Sequence, residues 1–276
     1  MTSLMIYGTT SSAGKSLIAT GLCRIFSNKG YKTTPFKSQN MSRYYYTLEN
    51  GKIISSAQYI QALAARSMLD NRINPLLLVP KTDIGSAVYF MGEKVSDMAA
   101  KDYFAYKKEL KEEISKIYHS LKNEYDVVII EGAGSPAEIN LMENDIVNTG
   151  MANIANTNCL LVVDIDRGGA FAHLYGTVMI LPEEDRNRIK GFIINKFRGD
   201  ASFLDSGIHM IENLTGIPVL GIVPYGHYDL PEEDSLSGED TVKSFDIEKI
   251  DTEIEKLAED LEKYLDMDKI LEIMNL

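Results

Sequence analysis

The sequence has no tryptophan, two cysteines and four histidines among 276 residues. Cys23 and Cys159 lie far apart, outside any C-x-x-C pattern and without a histidine at metal-ligand spacing, which argues against a zinc site. Both sit in apolar stretches and read as reduced core thiols. His119, His173, His209 and His227 are scattered and make no catalytic triad. No run approaches the roughly 18 apolar residues of a membrane-spanning helix. The chain opens on a strand and loop, not on a basic segment followed by an apolar run, so no secretion signal is expected. Positive charge is also scarce: 28 Lys and Arg stand against 40 Asp and Glu, a net charge of −12. That balance argues against a general nucleic-acid binder, which would show a basic stripe, and against adhesion to an anionic membrane. A cytoplasmic protein is expected.

The acidity is uneven. Residues 231–276 hold 16 acidic and 5 basic residues, a net of −11, which leaves −1 for residues 1–230. No internal repeat or low-complexity tract interrupts the chain. Short apolar runs alternate with helical stretches, the pattern of an α/β protein with a mostly parallel central sheet. Strands are expected at Leu4–Tyr7, Lys32–Phe36, Val127–Ile130, Leu160–Asp164, Gly191–Ile194 and Val219–Val223. Most are continuous runs without polar alternation, as strands covered on both faces are. Helices are expected at Lys15–Asn28, Ser56–Leu69, Lys101–Asn123, Asp185–Lys190 and Ser202–Leu214. The loop 231–238 marks a boundary, dividing a body (1–236) from an acidic helical tail (237–276). In the tail, Ile250, Ile254, Leu257, Leu261 and Leu265 recur at spacings of three and four, one apolar helical stripe. It either docks on the body or connects to a further domain or chain.

Gly8-Thr-Thr-Ser-Ser-Ala-Gly14-Lys15-Ser16 follows the first strand and opens the first helix, the context a P-loop requires. Its two glycines are one residue further apart than is common. Backbone N–H groups of Thr10, Ser11, Ser12, Ala13 and Gly14, continuing through Lys15, Ser16 and Leu17 at the helix start, are placed for phosphate. Lys15 would reach the β/γ-phosphates of ATP and Ser16 would ligate Mg²⁺. Asp126-Val-Val-Ile-Ile-Glu131-Gly-Ala-Gly134 ends a second buried strand with a carboxylate, where a P-loop protein holds its Mg²⁺. Lys37 follows the strand 32–36 and lies at the sheet's carboxyl edge, where it could neutralise a transferring phosphoryl group; the alternative is a solvated lysine. Asn195 and Lys196 end a later strand, and the Asn195 amide offers donor and acceptor to an adenine edge; the alternative is a strand-end turn. Lys81-Thr-Asp83-Ile-Gly85-Ser86 reads as a polar turn after Leu76–Val79. Lys15, Lys37, Lys81, Arg167, Lys196 and Arg198 fall at or near strand ends, where they could supply positive potential for anionic ligands.

Several stretches together resemble the ATP-dependent amidoligase domain of the cobyric acid synthase family. They are Gly8–Ser16, Lys37-Ser-Gln-Asn-Met-Ser42, Glu131-Gly-Ala-Gly-Ser-Pro-Ala-Glu-Ile-Asn-Leu141, Asn144-Asp-Ile146, Asp164-Ile-Asp-Arg-Gly-Gly169 and Lys190-Gly-Phe-Ile-Ile-Asn-Lys-Phe-Arg-Gly-Asp200. The resemblance spans about residues 3–236. It implies a three-layer, dethiobiotin-synthetase-like P-loop fold with a C-terminal helical tail. It also implies amidation of peripheral carboxylates on a corrinoid, adenosylcobyrinic acid a,c-diamide, in cobalamin biosynthesis. The resemblance singles out Asp145 for orienting substrate or ammonia and Gln58 as a third metal ligand beside Ser16 and Glu131. It makes Gln39, Asn40, Asp83 and Ser135 corrinoid contacts. Relatives imply a homodimer.

That family usually carries a C-terminal glutaminase domain with a catalytic cysteine. Neither Leu22-Cys23-Arg24 nor Asn158-Cys159-Leu160 resembles a nucleophile elbow. The expectation is a chain without the glutaminase domain, excised or one half of a split enzyme. It would take free ammonia, or ammonia from a glutaminase domain or subunit. A partitioning or cell-division ATPase switch is the competing class. Such proteins place a second lysine five positions before the P-loop lysine, where this chain has Thr10. A dethiobiotin synthetase does not suit Lys37-Ser-Gln-Asn-Met, and intact Lys15, Ser16 and Glu131 oppose a decayed regulatory remnant.

Overall fold

The computed structural model describes residues 1–82, 85–231 and 246–276, with the backbone alone for 82 and 98–109. In chain order its elements are β1 (Thr2–Gly8), α1 (Lys15–Asn28), β2 (Thr33–Phe36), β3 (Gln39–Met41), β4 (Tyr45–Thr47), β5 (Ile53–Ser55), α2 (Ser56–Ala64), β6 (Leu76–Thr82), β7 (Gly85–Phe90), β8 (Glu93–Ala99), α3 (Ala100–Lys122), β9 (Val127–Glu131), α4 (Thr149–Ala155), β10 (Asn158–Asp164), α5 (Ala170–Ile180), α6 (Glu183–Arg186), β11 (Ile189–Phe197), α7 (Asp205–Thr215), β12 (Val219–Pro224), α8 (Ile247–Tyr264) and α9 (Met267–Met274).

The apolar runs assemble into one parallel sheet in the order β12-β11-β10-β1-β9-β2. Leu4 to Tyr7 and Val127 to Ile130 are each 0% exposed, so helices cover both faces. The chain leaves β1 toward β2 at one edge and afterwards works back to β12 at the other. Right-handed crossovers therefore put α1 on one face and α3, α4, α5 and α7 on the opposite face. The reversal occurs at β1, and the loop after β1 sits where doubly wound sheets bind ligands.

Differences from the expected elements have local causes. Helix α2 stops at Ala64, five residues before the expected Leu69, because Arg66 turns left-handed at φ 50°. The carbonyls of Leu63 and Ala64 are taken instead by the Arg24 guanidinium, at 3.3 and 2.9 Å. The stretch expected as helix 185–190 splits into α6 and the start of β11. A second sheet, β3-β6-β7-β8, contains none of the expected strands; its β6 takes in the apolar Leu76–Val79. Its β7–β8 turn uses Met91 and Gly92, both at positive φ. A methionine there hides the Asn-Gly signature by which such a hairpin is read.

The acidic tail docks on the body. Helix α8 buries Ile250, Ile254, Leu257 and Leu261 in the same core as β1 and α1, each worth about 1.5–3 kcal/mol. Buried Arg24 of α1 pairs with Asp251 and Glu255 of α8. At the crossing, a Cβ on Gly21 would stand 2.3 Å from Leu261 Cδ1. Gly21→Val is accordingly expected to cost about 1–3 kcal/mol by overpacking, read as a lower urea midpoint. An unchanged midpoint would contradict this packing. The expected boundary at 236/237 lies outside the described residues.

Candidate active site

The P-loop is pinned from two sides. Gly14 caps α1 at φ 102°, and a Cβ there would stand 2.0 Å from Asn195 Nδ2, so both backbone and space require glycine. Asn195 Nδ2 donates to Ala13 O at 2.9 Å, and Lys196 Nζ donates to Ser12 O at 2.7 Å. Lys15, 6% exposed, donates to Thr10 O at 3.0 Å and Gly134 O at 2.9 Å. Its ammonium therefore bridges the P-loop and the glycine-rich loop after β9. Thr10, Ser11 and Ser12 are exposed at the loop tip, whereas Ala13 is buried.

Glu131, 1% exposed at the end of β9, is the hub. Ser16 Oγ donates to its Oε1 at 2.8 Å, and Lys37 Nζ reaches the same oxygen at 2.7 Å. Gln61 Nε2 donates to Oε2 at 2.5 Å and Gln58 Nε2 at 3.5 Å. Lys37 is held in turn: its N–H donates to Ile73 O at 2.8 Å, and its carbonyl accepts from Asn74 Nδ2 at 3.1 Å. A serine hydroxyl beside a carboxylate at a P-loop is a hard-oxygen donor pair suited to a divalent cation. Gln61 Oε1, on the amide that donates to Glu131, is buried and has no hydrogen-bond partner among the described residues, so it is a candidate further oxygen. Among the described residues no three His, Cys, Asp or Glu side chains could hold a metal by themselves. A cation here would complete its shell from phosphate and water.

Several expected residues take other places. Asp145 accepts from the N–H groups of Val147, Asn148 and Gly150 and from Thr149 Oγ1, at 2.8–3.1 Å. Its oxygens are spent on the turn into α4, so orienting substrate is not the task its geometry supports. It positions Asn148, whose side chain clamps Ala133 N and O at 3.2 and 2.7 Å. Asn148 is a site residue that sequence reasoning missed. Gln58 must turn its NH₂ toward Glu131, because a carboxylate only accepts. Its Oε1 faces Asn40 Nδ2 at 2.9 Å and the Ser55 hydroxyl. That orientation removes Gln58 as a metal ligand and makes Gln61 the nearer amide. Asn195 is 1% exposed with its NH₂ on the P-loop, so it secures the loop instead of presenting an edge to adenine.

Lys37 is buried, not solvated. Lys81, Lys196 and Arg198 are paired with Asp97, Asp164 and Asp166. Gln39 is half-buried on β3, and Ser135 Oγ accepts from Ala137 N at 3.2 Å. Asp83 lies outside the described residues.

A cavity of about 1260 Å³ runs along the carboxyl edge of the sheet. Its middle is Gly14, Lys15, Ser16 and Glu131; Lys37, Asn40 and Tyr44 to Tyr46 lie on one side, and Gly226 to Pro231 with the first turn of α8 on the other. This exceeds the roughly 300–1,000 Å³ of a single small-molecule site.

Comparison with known proteins follows the same lines. The family model described as the CobQ/CobB/MinD/ParA nucleotide binding domain matches residues 4–236. Similar curated proteins include the cobyric acid synthase of Limosilactobacillus reuteri (strain DSM 20016), 51% identical over 255 residues, covering 90% of this chain and 51% of that protein. The cobyric acid synthase of Lachnoclostridium phytofermentans is 54% identical over 239 residues, covering 85% of this chain and 47% of its own. The chain thus spans about half the length of the curated relatives it matches. Among solved structures, the MinD cell division protein of Aquifex aeolicus is 14% identical, with 82% of this chain and 83% of that one covered and a TM-score of 0.45. So loose a likeness carries no argument about function.

Proposed function

The chain belongs to the CobQ/CobB/MinD/ParA nucleotide-binding family, and from that premise we propose that it is the ATP-dependent amidoligase portion of a cobyric acid synthase. Its substrate would be a corrinoid bearing peripheral carboxylates, and its products amides, ADP and phosphate. The observation that carries the reading is the Ser16–Glu131–Lys37 cluster, its Glu131 and Lys37 buried, where the P-loop meets the cavity. A nucleotide on the P-loop would put its terminal phosphate at that cluster, and the remaining volume would take a large second substrate. Residues 1–236 would carry the groups that act on ATP and the acceptor.

A carboxylate is a poor acyl donor because its leaving group would be oxide. A carboxylate oxygen attacking the γ-phosphorus releases ADP and gives an acyl phosphate. Ammonia then attacks the carbonyl carbon, the carbon–oxygen bond to phosphate breaks with its electron pair leaving on phosphate, and the nitrogen gives up a proton to leave the amide. Mg²⁺, when bound by Ser16 and Glu131, supplies charge neutralisation at the β/γ-phosphates. Lys15 sits between the two glycine-rich loops, where it would meet those phosphates. Lys37, at the boundary between nucleotide and acceptor, would stabilise the charge on the phosphoryl group in flight. Catalysis in this scheme is positioning plus electrostatics.

Nitrogen would come from ammonia. Cys23 and Cys159 are both 0% exposed. Burial pushes both thiols up, Cys159 to about 12, so neither supplies the thiolate a glutaminase needs. The test is ADP release by this chain in the presence of the corrinoid diamide. Ammonium is expected to support it and glutamine alone is not; glutamine-dependent turnover by the chain itself would refute the assignment. Corrinoid-independent, ammonium-independent hydrolysis as the sole activity would favour an ATPase switch.

A further inference from the structure

The acidic tail carries no recognised motif, yet α8 lines the cavity through Lys249 and Ile250. The adjoining wall, Gly226 to Leu230, is tied to the same helix. Tyr228 OH donates to Asp260 Oδ2 at 2.8 Å, and Lys256 Nζ lies 5.4 Å from the centre of the Tyr228 ring. Asp229 pairs with Lys249, and its N–H donates to Glu253 Oε2 at 3.2 Å. Burial and the Asp260 carboxylate hold the Tyr228 phenol well above its ordinary range, so it remains a donor. Helix α8 is itself fixed to the P-loop helix by Arg24 and by the Gly21 crossing. One helix thus sets the distance between the P-loop helix and the loop after β12.

Position along the sheet decides which ligand that loop faces. Lys37 and Glu131 follow β2 and β9, on one side of β1; the 226–230 loop follows β12, beyond β10 and β11, on the other. With the terminal phosphate at Lys37 and Glu131, the ribose and base extend toward β11 and β12. We propose that Tyr228, fastened to Asp260 of the tail helix, is a positioning residue for the nucleoside half of the bound nucleotide, so that the tail is part of the nucleotide site. The inference rests on the nucleotide reading of the P-loop and is independent of the acyl acceptor.

The experiment titrates Mg-ATP and inorganic tripolyphosphate, calorimetrically, into the full chain and into Tyr228→Phe, Asp260→Asn and Glu259→Gln, the last an exposed position on the same helix. Thermal midpoints are recorded in parallel. Tyr228→Phe and Asp260→Asn are expected to weaken ATP about 3- to 10-fold, the effect of one hydrogen bond to a charged group. Tripolyphosphate affinity should stay within about twofold, and Glu259→Gln should match the parent on both ligands. Equal loss for ATP and tripolyphosphate, or no loss for ATP in folded variants, would overturn the inference. A parent chain that binds tripolyphosphate but gains nothing from the nucleoside also overturns it while leaving the phosphate site standing. A parent that binds neither ligand overturns the nucleotide reading itself.

Discussion

Lys15→Ala is expected to lower corrinoid-dependent ATP turnover by at least about 10³-fold, the range seen when a cation is removed from a transferring phosphoryl group. Two effects combine. The variant loses the charge that meets the β/γ-phosphates. It also loses the bridge from Thr10 O to Gly134 O, which holds the P-loop against the loop after β9. Tripolyphosphate binding separates catalysis from folding: affinity should fall steeply while the thermal midpoint changes little, because Lys15 sits at the cavity and not in the apolar core. An active Lys15→Ala enzyme would remove the P-loop from the mechanism.

Lys37→Met should be nearly as damaging to turnover, by about 10²–10³-fold, but with a different signature. The Lys37 and Glu131 side chains are 4% and 0% exposed. Removing one partner of such a pair leaves a buried charge and costs about 3–5 kcal/mol. That is an upper range here, since Ser16 and Gln61 still donate to Glu131. Glu131→Gln should destabilise as well, by removing the carboxylate charge that faces the buried Lys37 ammonium. The double variant Lys37→Met/Glu131→Gln is expected to recover most of the lost stability and none of the activity. Additive stability losses in that cycle would mean the pair is not coupled. Tripolyphosphate affinity in Lys37→Met should change only a few-fold, because Lys15 and the loop backbone remain.

What was legible in the sequence was legible for local reasons. The P-loop and Glu131 stand directly at the carboxyl ends of short apolar runs, and Lys37 directly follows the strand 32–36, so finding the strand finds the residue. The parallel sheet followed from the same runs. Other features depend on partners far along the chain. Arg24 looks like a polar residue of an amphipathic helix; its burial depends on Asp251 and Glu255, 227 and 231 positions later. Gln58 and Gln61 share a face of α2, three residues apart, and only the acceptor-only carboxylate of Glu131 decides which way the Gln58 amide turns. Asp145 could pass for a catalytic carboxylate, and its role as acceptor for the turn into α4 shows only once residues 147–150 are built around it. The tail's apolar stripe was visible, but the surface it meets includes Gly21, whose missing side chain leaves no mark in a hydrophobic pattern.

We propose that this chain joins ammonia to corrinoid carboxylates at the expense of ATP. Mass spectrometry of the corrinoid after incubation with the chain, Mg-ATP and ammonium tests it directly. Each amidation replaces O by NH, and the account predicts successive decreases of about one dalton with one ADP formed per step. An unchanged corrinoid mass alongside continued ADP release would contradict it.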